Sequence, residues 1–220
     1  MELLKRFNIT TSNLDLYEKA LTHSSYANEM DKESYQRLEF LGDAVLDLII
    51  SEYLYFISDG DEGILTKKRA LYVCEQALYL YGIKLKIADH IKLGKGELET
   101  GGRNRKAIIA DVVESFLGAI FIDKGFDFTK KIVFRFIIPI IEDKNNVFGE
   151  DYKSTFQELV QTDKKSVQYV VLKEEGLSHE KKFTVAVKMD NIVFGIGIGS
   201  SKKEAEQSAA KKALEKSAVD

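Results

Sequence analysis

The sequence predicts two parts: a mainly helical N-terminal domain, and a smaller α+β C-terminal domain with the order α-β-β-β-α. Up to about residue 142, apolar residues recur at spacings of three and four, which is typical of helices packed on one face. After the polar stretch EDKNNVFGED, around Asn145, three runs alternate apolar and polar residues as strands do. This change from helical to strand-like spacing of the apolar residues predicts one domain at residues 1–145 and a second at residues 151–220.

In the first part, the helical pattern is clearest in YQRLEFLGDAVLDLIISEYLY (residues 35–55) and AIIADVVESFLGAIF (residues 107–121). Glycine-rich turn signals separate the helical segments at SDGDEG (58–63) and GKGELETGGRN (94–104). The second stretch does not fit G-x-G-x-x-G and follows no strand, so nucleotide binding is disfavoured. Its basic side chains either contact the phosphate groups of a partner or form a solvated surface; they are Arg103, Arg105 and Lys106.

The second part begins with a short helix, YKSTFQELVQ, and continues with the runs SVQYVVLKEE, KKFTVAVKM and NIVFGIGIG. We expect a three-stranded antiparallel sheet with two helices on one face, closed by KKEAEQSAAKKALEK. SKKE predicts a capping box, with Ser201 as N-cap and Glu204 at N3. Lys202 and Lys203 then lie in the first turn, where cations oppose the helix dipole. A polyanion approaching that helix end explains them better than helix stability does.

Composition excludes several classes of protein. The net charge is −3, divided as −4 over residues 1–150 and +1 over residues 151–220, so bulk charge gives no argument for nucleic acid. The single cysteine, Cys74, excludes an intrachain disulfide and is expected to be a buried, inert thiol within a helix. No apolar run approaches 18 residues, and the first residues are charged where a signal peptide is apolar. We therefore expect a cytoplasmic protein without a membrane partner.

Two pairs of carboxylates interrupt the apolar helical segments: Glu39 with Asp43, and Asp111 with Glu114. Residues four or three apart on a helix differ by about 40° or 60° around the axis, so each pair shares a face. One interpretation is a solvated helix edge, but the neighbours are apolar nearly all round, which favours burial or a cleft. Buried carboxylates need a counter-charge, from basic residues or from divalent cations. Ligation by oxygen alone suits Mg²⁺, or Mn²⁺ in its place.

QRLEFLGDAVL resembles the signature of ribonuclease III, usually written E-R-L-E-F-L-G-D-A/S-V-L, with Gln36 in place of the first glutamate. Further segments resemble the same family in the same order: ALTHSSYANE, DEGILTKKRALYV, LGKGELETGGRNRKAIIADVVESFLGAIFID and the terminal module. The resemblance implies a helical endonuclease domain, followed by a double-stranded RNA-binding domain. It further implies a homodimeric, Mg²⁺-dependent endoribonuclease that cuts double-stranded RNA to 5′-phosphate and 3′-hydroxyl ends. Ribosomal RNA precursors and some messenger RNAs are the expected substrates.

Carried over by position, the resemblance implies site residues in both domains. The metal-binding acids are Glu39, Asp43, Asp111 and Glu114, of which Asp43 and Glu114 are expected to be catalytic. Glu62 matches an accessory acid, and Phe40 matches an aromatic side chain that packs into the partner subunit. The expected RNA-binding residues are Thr155, Gln157, Glu158, His179, Lys202 and Lys203.

Alternatives remain for three features. Asp47 lies one turn beyond Asp43, on the same helix face as Glu39 and Asp43. We expect Asp47 to be a structural carboxylate rather than an acid that supports the site. His23, between helical segments, is expected to be a structural histidine rather than a ligand. For the whole chain, the rival hypothesis is a non-catalytic RNA-binding protein, and for the terminal module it is a protein-interaction domain.

Overall fold

The computed structural model describes residues 1–143, 145–146, 148, 152–161, 167–176, 181–190 and 192–217. The side chains of residues 154, 155, 158, 161 and 217 are outside this description. The chain divides into two compact units, Met1–Gly149 and Glu150–Asp220. The predicted fold class is confirmed, because the first unit is helical and the second combines helices with a three-stranded antiparallel sheet.

The N-terminal unit is built from helices joined by short connections. They are α1 (Glu2–Arg6), α2 (Leu14–Ala20), α3 (Ser24–Met30), α4 (Gln36–Ile57), α5 (Glu62–Val73), α6 (Glu75–Lys84), α7 (Lys95–Glu99), α8 (Lys106–Lys124), α9 (Phe126–Phe136) and α10 (Ile138–Glu142). Single 3₁₀ turns lie at Ala88–His90 and Gly102–Asn104.

Helix α8 forms the centre of this unit. Its residues from Ile108 to Ile120 are almost all buried, as expected for a helix that is apolar all round. The ring of Phe116 lies 5.2 Å from that of Phe7 and 5.9 Å from that of Tyr17. Burying each such side chain contributes roughly 1.5–3 kcal/mol, so α8 is fixed by packing along most of its length.

Two local expectations differ from the structure. The continuous helical pattern RALYVCEQALYLY is divided into α5 and α6, with extended backbone at Cys74. The Cys74 thiol is therefore half-buried at a junction between helices, and it donates to the Leu71 carbonyl at 3.3 Å. The stretch 94–104, expected as a turn, contains α7 and a 3₁₀ turn.

The C-terminal unit contains α11 (Tyr152–Gln161), β1 (Val167–Glu175), β2 (Lys182–Met189), β3 (Ile192–Gly199) and α12 (Lys202–Ser217). The strands are antiparallel in the order β1-β2-β3. Phe156 of α11, Val187 of β2 and Ala209 of α12 share one buried cluster, so both helices cover the same face of the sheet.

Alternating glycines on β3 explain how closely α12 approaches the sheet. A Cβ added at Gly195 or Gly197 would overlap the backbone of α12 around Ala209. The alanines of α12 that face the sheet, Ala205 and Ala209, are fully buried. The run IVFGIGIG is therefore a strand with glycine at inner positions, where the small-residue face of α12 packs against the strand backbone.

Candidate active site

The candidate active site is a cluster of carboxylates on two crossing helices. Glu39 lies in the first turn of α4, and Asp111 and Glu114 lie in the middle of α8. One carboxylate oxygen from each of these three side chains lies within 4.8 Å of the others, and all three are half-buried. Among the described residues, this is a group that could hold a metal ion.

Two glycines allow these helices to approach closely enough to bring the carboxylates together. A Cβ added at Gly42 would overlap the carbonyl oxygen of Glu114, and one added at Gly118 would overlap the carbonyl oxygen of Leu38. The backbones therefore pack directly against each other at the crossing, with no side chain between them at these two positions. Glu39 and Glu114 flank this contact, so their side chains point into the same space.

The electrostatics of the cluster are unfavourable without a cation. Burial, followed by the neighbouring acids Asp43, Glu39 and Asp111, raises the pKa of Glu114 from 4.5 to about 8. Burial also raises the pKa of Glu39 and that of Asp111. Within the described ranges, none of these acids forms an ion pair with a lysine or arginine. An oxygen-only donor set with uncompensated negative charge fits a hard divalent cation.

Asp43 lies near the cluster but not within its tightest part. Its side chain is exposed, and it is not among the carboxylates within 4.8 Å of one another. Its charge nevertheless contributes to the raised pKa of Glu39 and of Glu114. The structure thus brings together three of the four predicted metal-binding acids and leaves the fourth at the rim.

Asp47 lies one turn beyond Asp43 on α4. One of its carboxylate oxygens is buried and has no hydrogen-bond partner among the residues that the structure describes, and burial raises the pKa of the group. The positive charge of Arg69 on α5 opposes that rise. Glu62, the first residue of α5, is exposed and lines a cavity of about 290 Å³ together with Arg69 and Ser51.

Tyr35 is a residue at the site that sequence reasoning missed. It is 2% exposed, and its hydroxyl donates a hydrogen bond to Oδ2 of Asp111 at 3.0 Å. Burial raises the pKa of its phenol far above the ordinary value, so the hydroxyl stays protonated. The only signal in the sequence is its position, directly before the first residue of α4.

His23 has a structural role, in line with the interpretation favoured from the sequence. It is the N-cap of α3, and its Nδ1 accepts a hydrogen bond from the Ser25 backbone N–H at 3.2 Å. Burial lowers the pKa of its imidazole. A neutral imidazole in this orientation serves as a helix cap.

The basic residues of the glycine-rich stretch have partners inside the protein. Arg105 forms an ion pair with Glu97 at 2.5 Å, and the Glu97 side chain is 16% exposed. Arg103 donates to the carbonyls of Ala88 and Asp89 at 3.3 and 3.4 Å. These contacts give Arg103 and Arg105 roles in fixing the stretch beside α8.

An exposed apolar stripe runs along α4 on the side away from the core. Phe40 is 80% exposed, Leu48 57% and Tyr55 71%, and the three lie within about 80° around the helix axis. Large apolar side chains exposed in a row indicate an interaction surface.

The C-terminal unit presents part of its predicted RNA-binding set. Lys202 and Lys203 are exposed in the first turn of α12, with Lys202 Nζ 5.8 Å from the centre of the Phe183 ring. Ser201 Oγ accepts the Glu204 backbone N–H at 3.2 Å, and the Glu204 carboxylate accepts the Ser200 backbone N–H at 2.8 Å. Gln157 is exposed on α11. His179 and the side chains of Thr155 and Glu158 lie outside the described residues.

Comparison with known proteins agrees with both units. Residues 13–141 match the family model described as Ribonuclease-III-like, and residues 152–217 match the double-stranded RNA binding motif. Ribonuclease 3 of Onion yellows phytoplasma (strain OY-M) is 44% identical over 97% of this chain and 90% of its own length. Ribonuclease 3 of Clostridium tetani (strain Massachusetts / E88) is 45% identical over 100% of this chain and 95% of its own length.

A solved nuclease domain of ribonuclease III from Campylobacter jejuni is also similar. It superposes with a TM-score of 0.59 at 35% identity, over 63% of this chain and 95% of that chain. That structure is described as showing flexibility in a region involved in dimer formation.

The chain belongs to the ribonuclease III family. It is an endoribonuclease with a double-stranded RNA-binding domain. The family implies use of a divalent metal ion, for which Glu39, Asp111 and Glu114 supply a suitable set of oxygens. In the described parts of the chain, no helix has both the length and the apolar content needed to cross a membrane.

Proposed function

We propose that this chain is a Mg²⁺-dependent endoribonuclease that acts on double-stranded RNA as a homodimer, each subunit cutting one strand. The observation that carries the proposal is the group of three carboxylates within 4.8 Å, on two helices, without a basic partner in the described residues. Such a group is tolerable in a half-buried site when a divalent cation balances its charge.

Glu39, Asp111 and Glu114 would hold the ion, and Asp43, at the rim, would complete the acidic set with Glu114 as the catalytic pair. When bound, Mg²⁺ lowers the pKa of a water and stabilises the charge that develops on the phosphate. The water oxygen attacks phosphorus and the bond to the 3′ oxygen breaks, which leaves 5′-phosphate and 3′-hydroxyl ends. Mn²⁺ offers the same preference for oxygen ligands and is expected to substitute. Glu62 is proposed as an accessory acid.

The apolar stripe on α4 supports homodimerisation. Phe40, which is exposed, follows Glu39 on α4, so a partner subunit that covers Phe40 comes close to the acidic cluster. We propose that Phe40 packs into the partner subunit and that the two clusters then face the two strands of one duplex.

We propose an endonuclease domain at residues 1–145 and an RNA-binding domain at residues 151–220. The exposed Lys202 and Lys203 support contact with the phosphates between two minor grooves. Minor-groove contacts are proposed for four further residues: Thr155, Gln157, Glu158 and His179. Ribosomal RNA precursors and some messenger RNAs are the proposed substrates, and the cytoplasm is the proposed location.

A cleavage assay on a long RNA duplex tests the proposal. Wild-type protein is expected to cut in Mg²⁺ and to stop in EDTA. Glu114→Gln is expected to abolish cutting while duplex affinity stays nearly unchanged, because the carboxylate is lost from the site and not from the RNA-binding surface. Glu2→Gln, on the exposed face of α1, makes the same chemical change elsewhere and should cut normally.

Two results would contradict the proposal. If Glu114→Gln cut at nearly the wild-type rate in Mg²⁺, the assignment of the site would be wrong. If wild-type protein bound the duplex but cut it in neither Mg²⁺ nor Mn²⁺, the rival function of a non-catalytic RNA-binding protein would replace it.

A further inference from the structure

The Tyr35 hydroxyl links the start of α4 to the acidic cluster on α8. It donates to Oδ2 of Asp111 at 3.0 Å across 76 residues of sequence. Tyr35 is 2% exposed, so this hydroxyl is held inside the protein rather than shared with bulk water. Asp111 therefore has one oxygen, Oδ2, engaged by a fixed donor, while its other oxygen, Oδ1, is not the acceptor of this bond.

The position of the Tyr35 ring is fixed from several sides. Its backbone N–H donates to the Thr22 carbonyl at 2.9 Å, and its carbonyl accepts the N–H groups of Leu38 and Glu39 at 2.8 and 3.0 Å. The ring centre lies 5.7 Å from that of His23. With the backbone and ring both packed, the hydroxyl has little freedom to follow a carboxylate that moves.

The Tyr35 hydroxyl carries no charge, and this determines how it affects Asp111 as a metal ligand. An unperturbed phenol has a pKa near 10 and so donates at neutral pH without adding positive charge. A lysine or arginine in its place would orient Asp111 equally well but would cancel the negative charge that attracts a cation. Tyr35 orients the carboxylate and leaves its charge available.

We propose that Tyr35 is a positioning residue for the divalent cation: it holds Asp111 by Oδ2 so that Oδ1 is presented to the ion. This rests on the proposed function, since it assumes that the cluster binds a divalent cation. Hydrogen-bonding partners of metal ligands commonly account for about 10–100-fold in metal affinity. We expect Tyr35→Phe, which keeps the ring and removes only the hydroxyl, to weaken cation binding by about 10-fold.

The chain provides a matched control in Tyr17. This tyrosine is also buried, and its hydroxyl donates to Oδ2 of an aspartate, Asp123, at 2.8 Å. Asp123 is not part of the acidic cluster. Tyr17→Phe therefore removes the same type of hydrogen bond and is expected to leave cation affinity unchanged.

The experiment is a titration of the metal-free full chain with Mn²⁺, followed by calorimetry or by the electron paramagnetic resonance signal of free Mn²⁺. Wild type, Tyr35→Phe and Tyr17→Phe are compared, and thermal denaturation verifies that each is folded. In cleavage assays, Tyr35→Phe should need about 10-fold more Mg²⁺ for half-maximal rate, recover at saturating Mg²⁺, and keep its KM for RNA.

A double-mutant cycle keeps the test decisive if Tyr35→Phe is less stable. With Asp111→Asn already in place, adding Tyr35→Phe should cause no further loss of Mn²⁺ affinity. Equal Mn²⁺ affinity in wild type and Tyr35→Phe would overturn the inference while leaving the proposed function standing. Equal losses in Tyr35→Phe and Tyr17→Phe would also overturn it. Failure of the wild type to bind Mn²⁺ would overturn the proposed function and this inference together.

Discussion

Replacing Gly42 by alanine perturbs the contact on which the acidic cluster depends. The added Cβ would overlap the carbonyl oxygen of Glu114, an atom of the α8 backbone that no side-chain rotation can move. Overpacking typically costs about 1–3 kcal/mol, and we take about 3 kcal/mol because the obstacle is backbone. The higher helix propensity of alanine offsets about 1 kcal/mol of this. The expected net loss is about 2 kcal/mol, or roughly 4–8 °C in Tm for a unit of this size.

The same substitution should weaken metal binding, because separating α4 from α8 moves Glu39 away from Glu114. Thermal denaturation and Mn²⁺ titration measure the two effects on the same samples. Gly96→Ala is the matched control, since an added Cβ there meets no atom within 4 Å. If Gly42→Ala matched Gly96→Ala in both Tm and Mn²⁺ affinity, the close crossing would not be what assembles the site.

Three further predictions concern RNA, pH and the dimer. The double substitution Lys202→Ala with Lys203→Ala should weaken duplex binding, because about one phosphate contact is lost per lysine. The slope of log affinity against log salt concentration should fall by about 2. Unchanged affinity and slope in a fluorescence anisotropy titration would contradict phosphate contact. In EDTA, stability should fall as pH rises from 5 to 8.5, because folding raises the pKa of Glu114 to about 8 and the folded state then binds more protons than the unfolded state. The loss of stability should be on the order of 1–3 kcal/mol after allowance for solvent screening. Glu114→Gln should flatten the dependence of Tm on pH. An equal slope of Tm against pH in wild type and Glu114→Gln would exclude Glu114 as the cause. Phe40→Asp should yield monomers in analytical ultracentrifugation, and a wild type that is itself monomeric would contradict the proposed dimer.

Local periodicity was sufficient to predict the two long helices of the site, the three strands and the pairing of acids on each of those helices. It predicted α4 and α8 because their apolar residues recur at helical spacing, and it placed Glu39 and Asp43 on one face. Helical spacing places Glu39 and Asp43 only within about 40° of each other, however, so it could not predict that their environments differ. Glu39 is half-buried in the cluster, while Asp43 is exposed at its rim.

Long-range contacts were beyond the reach of sequence patterns. In a helix, Gly42 signals only a loss of propensity, and its contact with the Glu114 carbonyl depends on where α8 lies. The bond from Tyr35 to Asp111 likewise joins residues 76 positions apart. The prediction of a turn at 94–104 is wrong for a related reason. Its glycines are typical of turns, but Gly102 packs against Glu97, which is largely buried beside Arg105.

The most direct test of the acidic cluster is the anomalous scattering of Mn²⁺ in a crystal of the wild-type protein. We expect a peak roughly 2.0–2.2 Å from carboxylate oxygens of Glu39, Asp111 and Glu114 together. A well-ordered crystal grown in excess Mn²⁺ with no peak at these side chains would contradict the account. So would a peak bound by only one of them while the other two turn away.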